Sequence, residues 1–60
     1  MFEVKELPTG NYYAKLYNTP RNEMLLKNFI QHKVLWRDRE AICVRVDKEN
    51  LTKIRVLGRV

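Results

Sequence analysis

Apolar and polar residues alternate along the first third of the chain, and this alternation predicts β-strands. Residues 2–7 and residues 11–17 both show it, and the segment PTGN at residues 8–11 separates them. Proline and glycine at those positions are typical of a three-residue hairpin loop. We therefore predict an antiparallel hairpin. Its register brings apolar residues or unlike charges opposite each other, in the pairs Phe2 with Leu16, Val4 with Ala14, and Glu3 with Lys15.

A helix is predicted next, because the apolar spacing changes to the one that places residues on a single helical side. Thr19 is a suitable N-cap, and Pro20 suits the first helical position, where its missing N–H costs no hydrogen bond. We expect the helix to end near His32 or Lys33 and Met24 to be exposed. The apolar side consists of Leu25, Leu26, Phe29 and Ile30.

The second half of the chain predicts three more strands. Residues 34–37 contain Val, Leu and Trp, which suit sheets, although a last helical turn followed by a loop is an alternative. Residues 41–46 and 51–60 alternate, and Asn50 between them tolerates the left-handed conformation of a tight turn. We predict that they form a second hairpin. Its pairs are Val44 with Ile54, Ile42 with Val56, Arg45 with Lys53, and Cys43 with Arg55.

These elements predict an α+β fold with the order β-β-α-β-β-β, in which residues 1–60 form a single small domain. One amphipathic helix packs on a small, mainly antiparallel sheet, which gives a two-layer sandwich. The expected core consists of Phe2, Val4, Ala14, Leu16, Leu25, Leu26, Phe29, Ile30, Leu35, Ile42, Val44, Val46, Ile54 and Val56.

One helix covers only one side of a sheet, so we predict that the other side is open to solvent. Arginine and lysine bind phosphates, and aromatic rings stack on bases, so a basic and aromatic sheet surface is typical of proteins that bind single-stranded nucleic acid. A simpler explanation is that basic residues keep an uncovered strand surface solvated. Strand parity predicts that the site consists of Lys5, Tyr13, Lys15, Tyr17, Trp36, Arg45, Lys53, Arg55 and Arg59.

Composition narrows the function further. The chain has 60 residues and a net charge of +5, an excess of positive charge that fits a polyanionic ligand, with a role in solubility alone as the alternative. His32 and Cys43 are the sole histidine and cysteine of the sequence, which is too few for a typical zinc site or for a nucleophile with its base. We therefore predict no enzymatic activity, no catalytic residue, no metal and no cofactor.

The sequence thus predicts a small basic binding protein, and three hypotheses describe its partner. The first is RNA or single-stranded DNA, bound through the open basic and aromatic side of the sheet. The alternative is a protein-binding regulator, such as a small inhibitor, an antitoxin-like protein or a virus-type accessory protein. It uses the same side or a sheet edge against an acidic protein surface. The third is a homo-oligomer, such as a homodimer, whose interface is the open side.

The N-terminus and the hydropathy predict the cellular compartment. The segment MFEVKELP contains an acidic residue at position 3 and no apolar run, which does not fit a signal peptide. The longest apolar run is too short for a membrane span, and a single cysteine fits a reducing compartment. We expect a complete cytoplasmic protein that binds neither a membrane nor a small-molecule substrate.

Overall fold

The computed structural model describes residues 3–58, which form four strands and two helices in an α+β fold. Neighbouring strands are antiparallel and follow the order β1-β2-β4-β3, so β1 and β3 are the edges of the sheet. The elements are β1 (Glu3–Glu6), β2 (Tyr12–Tyr17), α1 (Pro20–Phe29), β3 (Lys33–Arg37), β4 (Ala41–Val46) and α2 (Lys48–Leu57).

The first hairpin has the predicted register. Gly10 has a φ of +86°, the left-handed conformation that glycine adopts without the cost of a Cβ clash. The loop is also closed by a backbone hydrogen bond of 2.8 Å from Leu7 to Asn11. The predicted pair that includes Phe2 lies outside the described residues. The confirmed pairs are Val4 with Ala14 and Glu3 with Lys15.

Helix α1 begins where it was predicted and ends earlier. The Thr19 side chain accepts a backbone N–H of the first turn at 3.2 Å, as an N-cap should. The last helical residue is Phe29, whereas the sequence predicted an end near His32 or Lys33. Ile30 already has extended dihedral angles, with φ of −117° and ψ of 119°, because the chain turns there toward β3.

The last element of residues 3–58 is the helix α2. The predicted strand that begins at residue 51 and the element order β-β-α-β-β-β are therefore wrong. Asp47 is the N-cap of this helix, and its Oδ1 accepts the backbone N–H of Asn50 at 2.8 Å. Leu51 and Ile54 are both buried, and their spacing of three residues is that of a helical side. The second hairpin therefore does not form, and β4 pairs with β2 and β3 instead.

One cluster of buried side chains joins the sheet to both helices. Because alternate residues of a strand point to opposite sides, the strand members of this cluster all lie on one side of the sheet. The sequence predicted one helix, whereas residues 3–58 contain two, and both contribute residues to the cluster. The cluster consists of Ala14, Leu16, Ile42, Val44 and Val46 from the strands, Leu25 and Leu26 from α1, Ile30 directly after α1, and Leu51 and Ile54 from α2.

Three predicted core residues are exposed instead, namely Phe29, Leu35 and Val56. Leu35 lies at an irregularity of β3, where the register shifts between Val34 and Trp36. Val56 lies on the side of α2 away from Ile54, since two residues correspond to about half a helical turn. Met24 is exposed, as predicted.

Asn50 connects the two helical segments and is the buried polar residue of the part of the chain that the structure describes. Its Oδ1 accepts the backbone N–H of Gln31 at 3.0 Å, and its Nδ2 donates to Oδ1 of Asp47 at 2.8 Å. The side chain thereby holds the segment after α1 against the start of α2. This contact fixes the end of the sheet at which β3 begins and β4 ends.

Candidate nucleic-acid interface

Two rows of side chains cross the sheet on the side away from the core cluster. Directly paired residues of antiparallel strands point to the same side, so the register defines these rows. Tyr17, opposite Ala41, lies beyond them, and we call the two rows together with Tyr17 the open face. The basic row consists of Lys5, Tyr13, Arg45 and Lys33, and the tryptophan row consists of Glu3, Lys15, Cys43 and Trp36.

An irregularity in β3 places both Lys33 and Trp36 on the open face. The two residues are three positions apart, so strict alternation would put them on opposite sides of the sheet. The register shift at Leu35 adds one residue to β3, and Lys33 then pairs with Arg45 while Trp36 pairs with Cys43. The shift therefore adds a base to one row and an aromatic ring to the other.

Positive charge is concentrated on the open face. The face carries four bases and one acid, whereas the rest of residues 3–58 carries seven bases and six acids. Bases and acids nearly balance outside the open face, so the excess positive charge of residues 3–58 lies mainly on one side of the sheet. A surface of this kind attracts polyanions.

The bases of the basic row have few partners within the described residues. Lys5 forms an ion pair with Glu3 at 3.5 Å, and both side chains are well exposed, so the pair contributes little. Within residues 3–58, neither Lys33 nor Arg45 forms an ion pair, although they lie directly opposite each other. Like charges in such a position repel, and an anion between them would remove the repulsion.

Trp36 provides a partly accessible aromatic surface beside a lysine. The Nζ atom of Lys15 lies 5.7 Å from the centre of the indole ring, which is within the range of a cation–π interaction. Trp36 is 41% exposed, so part of the ring remains accessible to a ligand. Base stacking on such a ring is worth about 1–3 kcal/mol.

Tyr13 is fixed by a hydrogen bond to Cys43. The phenol oxygen lies 3.0 Å from Sγ, and this bond, together with burial, raises the pKa of Tyr13 to about 12. The phenol is therefore neutral at physiological pH. Cys43 is fully buried beneath the open face, where its thiol is out of reach of a substrate. The pair thus serves to order the ring of Tyr13 between the bases of the basic row.

The structure brings together six of the predicted site residues and separates two others. Lys53 and Arg55 lie on α2, whose buried residues belong to the core cluster on the other side of the sheet. Their predicted position on the open side is wrong, because the segment is a helix rather than a strand. Arg59 lies outside the described residues. The residues on the open face are Lys5, Tyr13, Lys15, Tyr17, Trp36 and Arg45.

The prediction from sequence missed Lys33. A strand that began at residue 34 excluded it, and strict alternation from Trp36 would have placed Lys33 on the core side. No local pattern marks the irregularity at Leu35. The pairing of β3 with β4 was needed to find this base.

Comparison with models of known protein families, with curated proteins and with solved structures gives no significant match. In the part of the chain that the structure describes, no helix has the length and apolar character needed to cross a membrane. The same part contains no group of three or more His, Cys, Asp or Glu side chains arranged to hold a metal ion.

Proposed function

We propose that the protein binds single-stranded nucleic acid, either RNA or single-stranded DNA, through the open face and has no enzymatic activity. The observation that supports this proposal is the concentration of four bases and an exposed indole on one side of the sheet. A two-layer arrangement, with both helices on the core side, is part of the proposal because it leaves this face accessible. We place the protein in the cytoplasm, where the thiol of Cys43 stays reduced.

The arrangement of the two rows suggests how a strand lies on the face. Neighbouring strands of a sheet are about 4.8 Å apart, so the basic row spans about 14 Å from β1 to β3. Phosphates bind along this row, and bases point toward Trp36 and Tyr17. Backbone contacts and stacking of this kind read no particular sequence, so we expect binding with little base preference.

Two arginine substitutions test the proposal. Arg45→Gln removes a charge from the basic row and should weaken binding of a fluorescent single-stranded oligonucleotide by roughly 3- to 10-fold, as expected for a lost phosphate contact. Arg55→Gln removes the same charge from α2 and should leave the affinity within about 2-fold of wild type. Equal effects of the two substitutions would show that only net charge matters and would contradict the proposed face.

A protein-binding regulator is the second candidate, and the exposed edge strand β3 favours it. All five residues of β3 are exposed, and Val34, Leu35 and Trp36 give this edge an apolar centre between two bases. Edge strands pair with strands of other chains, and flanking bases select acidic partners. A homodimer through the same edge or through the open face is a variant of this candidate.

A pull-down after nuclease treatment separates the two candidates. A partner retained without nucleic acid, and lost when Leu35→Lys places a charge on the β3 edge, supports the regulator. Retention of nucleic acid alone, in a parallel pull-down without nuclease, supports the open-face proposal. Sedimentation at two protein concentrations detects the homodimer.

A further inference from the structure

We propose that a polar cavity at the β3 end of the basic row binds a phosphate monoester, namely the terminal phosphate of a bound nucleic-acid strand. The strand as the source of this phosphate rests on the proposed function, whereas the cavity itself is testable with free phosphate. The cavity has a volume of about 310 Å³. Its walls are formed by Asn11, Gln31, His32, Lys33, Arg45, Val46 and Asp47.

Two cations on one wall provide the affinity for an anion. Lys33 and Arg45 are directly paired across β3 and β4, and both side chains are exposed. Among residues 3–58, neither forms an ion pair or a side-chain hydrogen bond, so their donors are available to a ligand. Arginine offers a planar fork that matches two phosphate oxygens, and lysine adds a point charge.

Three further polar residues line the cavity. Nδ1 of His32 donates to the carbonyl oxygen of Ile30 at 2.7 Å, which fixes the orientation of the imidazole ring. Asn11 and Gln31 also line the cavity, and their side-chain amides make no hydrogen bond within the described residues. Amide N–H groups are suitable donors to phosphate oxygens.

Asp47 is the one acid on the wall and works against an anion. Its Oδ1 accepts hydrogen bonds from the backbone N–H and the Nδ2 of Asn50, each at 2.8 Å. These bonds lower the pKa of Asp47, so the carboxylate is ionised at neutral pH. The start of α2 offsets part of that charge. The net balance of the wall remains positive, with two bases against one acid.

The charge of the ligand favours a terminal phosphate over an internal one. A phosphate monoester carries about −1.5 to −2 charges at pH 7, whereas each internal diester carries one. A wall with two bases attracts the more highly charged phosphate monoester more strongly than a diester. The cavity is also beside Lys33 and Arg45 at one end of the basic row, so the terminal phosphate of a strand lying along that row can reach it.

Oligonucleotides that differ only in their ends test the inference. A single-stranded oligonucleotide with a 5′-phosphate, one with a 3′-phosphate and one with neither are compared by fluorescence anisotropy. One of the two phosphorylated forms should bind roughly 3- to 10-fold more tightly than the unphosphorylated form, as expected for two exposed ionic contacts. Equal affinities of all three oligonucleotides would overturn the inference.

Three substitutions locate the effect. Lys33→Gln should abolish the preference for the phosphorylated end. Lys5→Gln, at the opposite end of the basic row, should weaken the binding of all three oligonucleotides equally. The preference for the phosphorylated end should remain. Asp47→Asn should increase the preference, because asparagine is an equally good N-cap but carries no charge. An unchanged or smaller preference in this variant would contradict the role of the cavity, and misfolding does not mimic a gain in affinity.

Inorganic phosphate tests the cavity independently of the proposed function. In an NMR titration, phosphate should shift the backbone amides of Asn11, His32 and Lys33, and acetate at the same concentration should shift them much less. These shifts without any oligonucleotide binding would support the cavity and overturn the proposed function. A mononucleotide with the affinity of the phosphorylated oligonucleotide would identify a free nucleotide as the source. Absence of phosphate-specific shifts would overturn the cavity.

Discussion

Replacement of Asn50 by alanine should destabilise the protein strongly, because Asn50 holds the segment after α1 against the start of α2. The substitution removes the acceptor of the Gln31 N–H, 3.0 Å away, and the donor to the Asp47 carboxylate, 2.8 Å away. The N-cap bond from Asp47 to the backbone of residue 50 remains, since alanine also has that N–H. The substitution therefore removes two side-chain hydrogen bonds and leaves the N-cap bond in place.

The expected loss follows from those two bonds. A neutral hydrogen bond contributes about 1 kcal/mol net, and one to a charged group contributes about 1.5–3 kcal/mol. Asp47 is exposed, so we take the lower end of that range and expect a total loss of about 2–3 kcal/mol. A domain of this length has a free energy of unfolding of roughly 3–9 kcal/mol, so the loss is a large fraction of the total.

Urea unfolding followed by circular dichroism measures this loss as a free energy, and thermal unfolding gives the corresponding change in Tm. Asn28→Ala serves as the control because it makes the same change at an exposed position of α1. We expect the Tm of Asn50→Ala to fall by about 10–20 °C and that of the control to change little or rise slightly. A free energy of unfolding within about 0.5 kcal/mol of wild type for Asn50→Ala would refute the reasoning.

Two further predictions concern Tyr13 and Gly10. The pKa of Tyr13 is raised from 10.0 to about 12, so the stability that its hydrogen bond provides should be complete below pH 10 and lost as the pH rises toward 12. Urea unfolding at a series of alkaline pH values should show this loss in wild type and a smaller one in Tyr13→Phe, and an equal loss would contradict the assignment. Gly10→Ala should cost about 1–2 kcal/mol, because φ is +86° and no neighbouring atom lies within 4 Å of the added Cβ, so that backbone strain is the sole cost. Thr9→Ala in the same loop is its control, and equal stabilities of the two variants would argue against strain at residue 10.

The first hairpin was predictable because several local signals specify one register. Gly10 supplies the left-handed residue that the loop needs, and the pair of Glu3 with Lys15 agrees with the pair of Val4 with Ala14. The start of α1 was predictable for a similar reason, since Thr19 suits its cap. When several local signals, such as turn residues, strand pairs or a helix cap, indicate the same element, the sequence alone is sufficient to predict that element.

Helix α2 was not predicted because its apolar residues fit both the two-residue period of a strand and the period of about 3.6 residues of a helix. Ile54 and Val56 alternate as in a strand, whereas Leu51 and Ile54 repeat as in a helix. The deciding signal is Asp47, which caps the helix, whereas the sequence predicted only a tight turn at Asn50. Packing of Leu51 and Ile54 in the core then selects the helix.

The candidate site was predictable only in part, since six of its residues followed from strand parity but Lys33 and the arrangement did not. Strand parity places Tyr13, Lys15 and Arg45 on one side whichever strands are neighbours. Their neighbours depend on the strand order, which is set by contacts between distant parts of the chain. Arg45 therefore lies between Tyr13 and Lys33, and the predicted partner Lys53 is on a helix.

The salt dependence of single-stranded oligonucleotide binding tests the central claim most directly. Each phosphate contact contributes a slope of about −0.7 to the plot of log affinity against log salt. Three to four contacts along the open face predict a slope of about −2 to −3, so the affinity should fall roughly 20- to 50-fold between about 50 and about 200 mM salt. Lys33→Gln should make that slope shallower by about 0.7, and Lys53→Gln on α2 should not change it. No binding at about 50 mM salt, or equal slopes for wild type and Lys33→Gln, would contradict binding through the open face.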